Sequence, residues 1–150
     1  MTKRVIKVKA MGLFVSPDGR FLASPGYDSV KQQGYLRLLG GHVEFGERSD
    51  AALIREIHEE IEADCRIISR LEVIENSFVH EGEPGQEVVF LYAAELTDPD
   101  FYTRERIRMN ETDPNKIAIW TPIAELLQGR VFLYPPADYA AHFANLSPGI

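Results

Sequence analysis

The sequence predicts an α/β fold in which helices pack on a mixed β-sheet, and three observations carry that expectation. Segments of strand and helical periodicity alternate along the chain without internal repeats or low-complexity stretches. One strongly amphipathic helix follows a glycine-rich turn within residues 41–62. The length of 150 residues with 45% hydrophobic content suffices for one core but not for two domains of ordinary size, so residues 1–150 are expected to form a single domain.

Residues 5–15 are rich in branched and apolar side chains, with Val5, Lys7 and Lys9 alternating with Ile6, Val8 and Ala10, and they end at the turn signal Ser16-Pro17-Asp18-Gly19. Phe21-Leu22-Ala23 returns as a second hairpin arm. Pro25-Gly26-Tyr27-Asp28 is expected to open a loop, and a short strand over residues 35–39 delivers the chain to Gly40-Gly41. Ser49 or Asp50 can cap the helix that follows. Residues 66–78 and 87–96 read as two long paired strands joined by the polar loop 80–85, and residues 97–115 as a long irregular segment. Residues 117–120 form another strand, Pro122 suits the first turn of a short helix over 123–128, and a last helix follows Pro135-Pro136 over about 137–145.

The central helix carries the chemistry. With Ile54 set to zero at 100° per residue, Ile57 and Ile61 fall within about 60° of it, a stripe that can face a core. Glu56, Glu59 and Glu60 then lie on the opposite side within an arc of about 100°, where like charges repel unless a cation neutralises them. Ala52 projects on that face and leaves room beside the carboxylates. An all-oxygen donor set without nearby Cys or paired His suits a hard cation, Mg²⁺ or Mn²⁺, rather than zinc.

Gly41, five residues, Glu47, seven residues and then Arg55-Glu56-Ile57-His58-Glu59-Glu60 resembles the signature of the Nudix hydrolases. Every charged position of that signature is present. One position departs from it: Glu62 stands where the family usually has glycine, a left-handed helix terminator, so the helix is expected to run on or end differently. Trp120-Thr121-Pro122-Ile123 followed by Glu125-Leu126 is similar to the family's usual ending, and the resemblance implies an α/β/α sandwich with the signature at one edge.

The resemblance implies metal-dependent hydrolysis of a nucleoside diphosphate linked to another moiety, by attack of water on phosphorus. Glu56, Glu59 and Glu60 match the family's metal-binding carboxylates, with a backbone carbonyl of Gly40 or Gly41 as a further ligand. Glu47 and Arg55 match its scaffold pair, which orients loop against helix. Relatives differ in whether the general base is a signature Glu or one from a distant loop, so Glu59 competes with Glu105 and Glu111. Arg37, Tyr35, His42 and Glu44 are the candidate substrate contacts, Arg37 for phosphate. Phe14, Tyr35, Phe78, Tyr92 and Trp120 are candidates for stacking on a base, with core packing expected for most of them. His58 is read as a structural histidine on the packed side of the helix.

Substrate markers are sparse. Some relatives specialised for ADP-ribose carry a proline a short way past the signature, and those for diadenosine polyphosphates a tyrosine; here that region is Ser77-Phe78-Val79-His80. The segment from Glu75 to Glu87 resembles a bacterial group of MutT-like proteins, and a small nucleotide is the expected substrate. A nucleotide-sensing domain that does not cleave its ligand is the alternative.

The net charge of −7 is unevenly placed. Residues 1–40 hold seven Lys or Arg against Asp18 and Asp28, whereas residues 41–64 hold eight acids against Arg48 and Arg55. Basic strands beside an acidic helix suit a phosphate chain gripped from two sides, although Lys3, Arg4, Lys7 and Lys9 are expected mainly to line the wet face of an edge strand. So acidic a chain is a poor grip for an extended nucleic-acid backbone. No apolar run reaches membrane-spanning length and the start does not read as a signal peptide, so a cytoplasmic location is expected. The lone Cys65 reads as a packed thiol, and a homodimer is expected only because such dimers are common.

Overall fold

The computed structural model describes residues 4–110, 113 and 115–146. Its strands are β1 (Ile6–Phe14), β2 (Arg20–Asp28), β3 (Gln33–His42), β4 (Cys65–His80), β5 (Glu83–Leu96), β6 (Arg106–Arg108), β7 (Ile117–Pro122) and β8 (Leu133–Tyr134). The helices are α1 (Ser49–Ile61), α2 (Ile123–Leu127) and α3 (Tyr139–Leu146). The strands run in the order β4-β5-β1-β3-β2-β7-β6, with β8 paired to β3. Parallel pairing of β1 with β5 amid antiparallel neighbours makes the sheet mixed.

Alternation along the strands builds two cores. Ala10 and Phe14 of β1 join Tyr92, Ala94 and Leu96 of β5 beneath Ala52, Leu53, Ile57 and Ile61 of α1. Met11 and Leu13 point the other way, with Val89, Leu91, Leu36 and Leu38, against Tyr139 and Phe143 of α3. Helices on both faces of the mixed sheet that the alternating pattern predicts make the α/β/α sandwich that the resemblance implies. No helix among the described residues is long and apolar enough to cross a membrane.

Several local expectations are corrected. β1 lies between β5 and β3, not at an edge; Lys7 is exposed as expected, but the Lys9 side chain is only 12% exposed. β2 continues through Pro25 and Gly26 instead of opening a loop. Its ladder with β7 ends at Ala23, so no ladder bond on that side calls on an N–H at Pro25. The polar loop 80–85 shrinks to the turn Glu81-Gly82, both residues at positive φ, with His80 already paired to Glu83. Within the supposedly irregular segment, a 3₁₀ turn over Pro99–Thr103 and strand β6 take up half of the described residues.

The ends of α1 differ from expectation too. Neither Ser49 nor Asp50 caps it: Arg48 holds the N-cap position without a side-chain bond, the Ser49 hydroxyl meets that of Tyr92 at 2.6 Å, and Asp50 accepts from the Ala51 N–H. At the other end the helix stops at Ile61. Glu62 adopts the left-handed conformation, φ 56° and ψ 34°, and its N–H donates to His58 O at 2.9 Å. It terminates the helix as a glycine would, while carrying a side chain that disfavours this backbone.

Candidate active site

The orientation of α1 decides which carboxylates meet. Its buried face is Ala52, Leu53, Ile57 and Ile61, while Ile54 is 41% exposed. The stripe is therefore centred nearer Leu53 than Ile54, which turns Glu56 and Glu60 toward the end of β3. Ala52 is fully buried in the core rather than beside the carboxylates. His58, expected on the packed side, is exposed and lies 3.4 Å from Asp64.

The glycine pair makes room for these carboxylates. Gly40 has φ 146° and its Cα faces the β1 backbone so closely that a Cβ would collide with Ala10 O, a combination open only to glycine. A Cβ on Gly41 would lie 2.5 Å from Glu56 Oε2, so the Glu56 carboxylate occupies the space that a side chain would take. Glu60 Oε1 accepts from the Gly40 N–H at 3.1 Å, and Glu60 O accepts from Asn110 N at 2.7 Å. Both carboxylates thus rest on adjacent residues near the end of β3, where the sequence suggests a turn.

Arg55 ties the cluster to the loop. Its Nε and Nη2 donate to the two oxygens of Glu47 at 2.8 and 2.9 Å, a bidentate pair, and Nη2 also donates to His42 O at 2.9 Å. Nη1 meets Glu56 Oε1 at 3.0 Å and Glu59 Oε2 at 3.2 Å. The Arg55 guanidinium, together with the Glu44 N–H, holds the Glu47 carboxyl down to about 2, and Glu47 in turn raises Arg55. Glu59 is the most exposed of the three helix carboxylates that face this region.

Among the described residues, no three His, Cys, Asp or Glu side chains converge closely enough to form a ready-made metal cage. The donor set nevertheless fits a hard cation in kind, being all oxygen, and the cradle at Gly41 brings the Glu56 carboxylate against the glycine pair whose backbone carries Glu60.

A cavity of about 300 Å³ opens alongside. Lys7, Lys9, Lys31 and Arg37 contribute cations to its lining, Tyr35, Phe78, His80 and Tyr134 aromatic rings, and Asn76, Glu87 and Asp28 polar groups. The Tyr35 ring meets both His80 and Tyr134 edge-on, at 5.8 and 5.5 Å between centroids. Across the β1–β3 ladder Lys9 pairs with His42, whose imidazole is held below its usual range by burial and by Lys9 and Lys7, with Glu56 opposing them. His42 thus follows the glycine pair on which the carboxylates rest and is the ladder partner of Lys9, while His42, Glu56, Glu59 and Glu60 themselves stand outside the cavity lining.

Of the expected substrate contacts, Arg37 and Tyr35 line the cavity and His42 adjoins it, as does Phe78 among the stacking candidates. Glu44 does not line it: its side chain is exposed, 3.9 Å from Arg55. Phe14, Tyr92 and Trp120 are buried in the core under α1, with Trp120 Nε1 donating to Phe101 O and its ring stacked on Tyr102. Glu105 is exposed beside β6, and Glu111 lies outside the described residues. Cys65 is buried, which pushes its thiol up to about 11. Sequence reasoning did not group Lys9, Asn76 and Glu87; the one local signal, an acid directly before the apolar run of β5, bears on Glu87 alone.

Comparison with known proteins agrees with the fold. The family profile of the NUDIX domain matches residues 7–140. The fold is similar to a NUDIX hydrolase from Nitrosomonas europaea, with TM-score 0.63 at 15% identity over 95% of this chain and 90% of that one. It is also similar to the MutT protein of Methanosarcina mazei Go1, with TM-score 0.64 at 13% identity over 97% and 95% of the two chains. A MutT NUDIX hydrolase from Burkholderia pseudomallei gives 0.54 at 18% identity over 96% and 98%.

Proposed function

The chain belongs to the NUDIX family of pyrophosphohydrolases, and from that premise we propose that it hydrolyses a small nucleotide, a nucleoside diphosphate linked to another moiety, with Mg²⁺ or Mn²⁺ as cofactor. The observation that supports this reading is the placement on one strand, β3, of the glycine pair that receives the carboxylates and of Tyr35 and Arg37, which line a cavity of cations and aromatic rings.

Glu56, Glu59 and Glu60 would hold the cation, with a carbonyl of Gly40 or Gly41 completing its protein ligands. A bound divalent cation neutralises phosphate charge and lowers the pKa of water. Arg55 pairs with Glu56 and Glu59 and, through Glu47 and His42 O, fixes the loop to the helix. Glu59 acts as general base, an Oε taking the proton of the attacking water; its exposure leaves that side chain free to turn toward the cavity mouth. Arg37 donates to phosphate oxygens, and a neutral His42 offers a ring nitrogen without adding charge. Tyr35 and Phe78 hold the planar part of the substrate.

A second reading, nucleotide sensing without cleavage, draws on the sharing of Arg55 Nη1 by Glu56 and Glu59. One experiment separates the two. Nucleoside triphosphates, ADP-ribose, dinucleoside polyphosphates and nucleotide sugars are incubated with the protein in Mg²⁺, Mn²⁺ or EDTA, and phosphate and pyrophosphate release is measured directly and after phosphatase treatment. Metal-dependent release from one class supports hydrolysis and identifies the substrate; saturable nucleotide binding without release from any class supports sensing.

A further inference from the structure

Deep in the cavity, one polar array is assigned no role by the hydrolytic scheme above. Glu87 is 5% exposed and Asn76 6%, both inside strands of the long β4–β5 hairpin. Asn76 Nδ2 donates to Glu87 Oε1 at 3.2 Å, and Lys9 Nζ lies 2.9 Å from Glu87 Oε2. All three residues line the cavity. A buried ion pair is seldom a net source of stability, because taking both charges out of water offsets their attraction. Its presence on a cavity wall invites a functional account.

The surrounding charge points to an anion. Burial lowers the Lys9 ammonium, and Arg37 and Lys7 lower it further, so three cations crowd this end of the cavity. Glu87 is the carboxylate that faces them. The other acid of the lining, Asp28, is already engaged by the N–H groups of Val30, Lys31 and Glu81. Like charges confined together are costly unless a ligand supplies the opposite sign.

The sheet register gives the array a direction. Lys9 is the cross-strand partner of His42, at the carboxylate end. Lys7 pairs with Glu87, Glu87 with Asn76, and Gly85 with Phe78, so the lining passes from cationic to aromatic along the hairpin. Asn76 to Phe78 is two residues, about 7 Å of strand, a spacing on the scale of a sugar between phosphate and base.

We propose that Lys9 is a substrate-contacting residue that anchors the diphosphate at the inner end of this cavity, with Glu87 and Asn76 as positioning residues that fix its ammonium. The base then lies against Tyr35 and Phe78. This inference rests on the nucleotide pyrophosphohydrolase reading and adds a polarity to it: diphosphate at Lys9 and Arg37, planar group at the hairpin tip.

The test uses the full chain and needs no turnover. Binding of the α,β-methylene diphosphates of adenosine, guanosine, cytidine and uridine, and of the parent nucleosides, is measured by calorimetry for wild type, Lys9→Arg, Lys9→Met, Glu87→Gln and the double variant Lys9→Met/Glu87→Met. The double variant leaves no buried charge unpaired, and thermal melting verifies that each protein is folded. Lys9→Met and the double variant are expected to weaken the tightest diphosphate about tenfold or more while changing its nucleoside less than about twofold. Lys9→Arg should recover most of the loss, and Glu87→Gln should fall between wild type and Lys9→Met. Diphosphate binding unchanged in a folded Lys9→Met or double variant overturns the anchor alone, as does an equal loss for nucleoside and diphosphate. Wild type that binds no diphosphate overturns the anchor together with the hydrolase reading.

Discussion

The carboxylate of Glu56 fills the space where Gly41 would carry a side chain, with Oε2 2.5 Å from that vacant Cβ position. A methyl group there meets only the far end of a flexible side chain, so the helix and strand need not move. Gly41→Ala is expected to shift stability by less than about 1 kcal/mol yet to lower metal-dependent turnover at least about tenfold, through a displaced Glu56. Chemical denaturation and steady-state assay of the same preparation test both halves; unimpaired turnover would remove Glu56 from the site.

Glu60 accepts from the Gly40 N–H, and Gln at this position retains an acceptor oxygen while losing charge. Glu60→Gln is expected to melt close to wild type and to lose turnover by two orders of magnitude or more, roughly the effect of removing a group that acts in the transition state. EDTA should abolish wild-type turnover. Full activity in the variant would sink the proposed cation site.

For the general base, Glu59→Gln is expected to lower kcat by about a hundredfold or more, with Glu105→Gln and Glu111→Gln staying near wild type. The opposite ranking would move the base to the segment before β7.

Glu47 is held at about 2 by Arg55, well below the usual carboxylate range near 4.5. A depressed folded-state pKa stabilises the protein fully above the unfolded value, and that stabilisation is lost as pH falls from about 4.5 toward 2. The stability gap between wild type and Glu47→Gln should therefore be constant above pH 5 and narrow below it. A gap independent of pH across that range contradicts the pairing.

Glu62 holds a left-handed backbone that suits glycine. Glu62→Gly is expected to stabilise the protein by about 0.5–1 kcal/mol, the relief of Cβ strain exceeding the extra freedom of the unfolded chain. Urea denaturation measures it, and a loss of stability would reveal a contact of the Glu62 side chain that matters more than its backbone.

The order of strands and helices was legible because period-2 and period-3.6 patterns, Ser16-Pro17-Asp18-Gly19 and the glycine pair are local signals. The pairing of Glu47 with Arg55 was implied by the resemblance of residues 41–60 to the Nudix signature. The facing of α1 was not: Ile54 and Leu53 are both apolar, and only the neighbouring strands decide which is buried. Nor was the cavity, since Lys9, Asn76 and Glu87 come from three strands and meet through a register that no single segment encodes. Lys9 reads as solvent-facing because alternation cannot distinguish water from a polar cavity.

Asp28 accepts N–H groups from its own turn and from Glu81 at the tip of the β4–β5 hairpin, while the Glu81 carboxylate accepts from Ser29 N–H and hydroxyl. Two hairpin tips distant in sequence are thereby locked to each other at the aromatic end of the cavity. A ligand entering there meets a wall whose conformational entropy was already lost when the chain folded, so less of its contact energy is consumed in ordering the protein. Loosening that lock, as by Asp28→Ala, would weaken binding through a slacker receptor even though Asp28 itself never touches the bound molecule's phosphates.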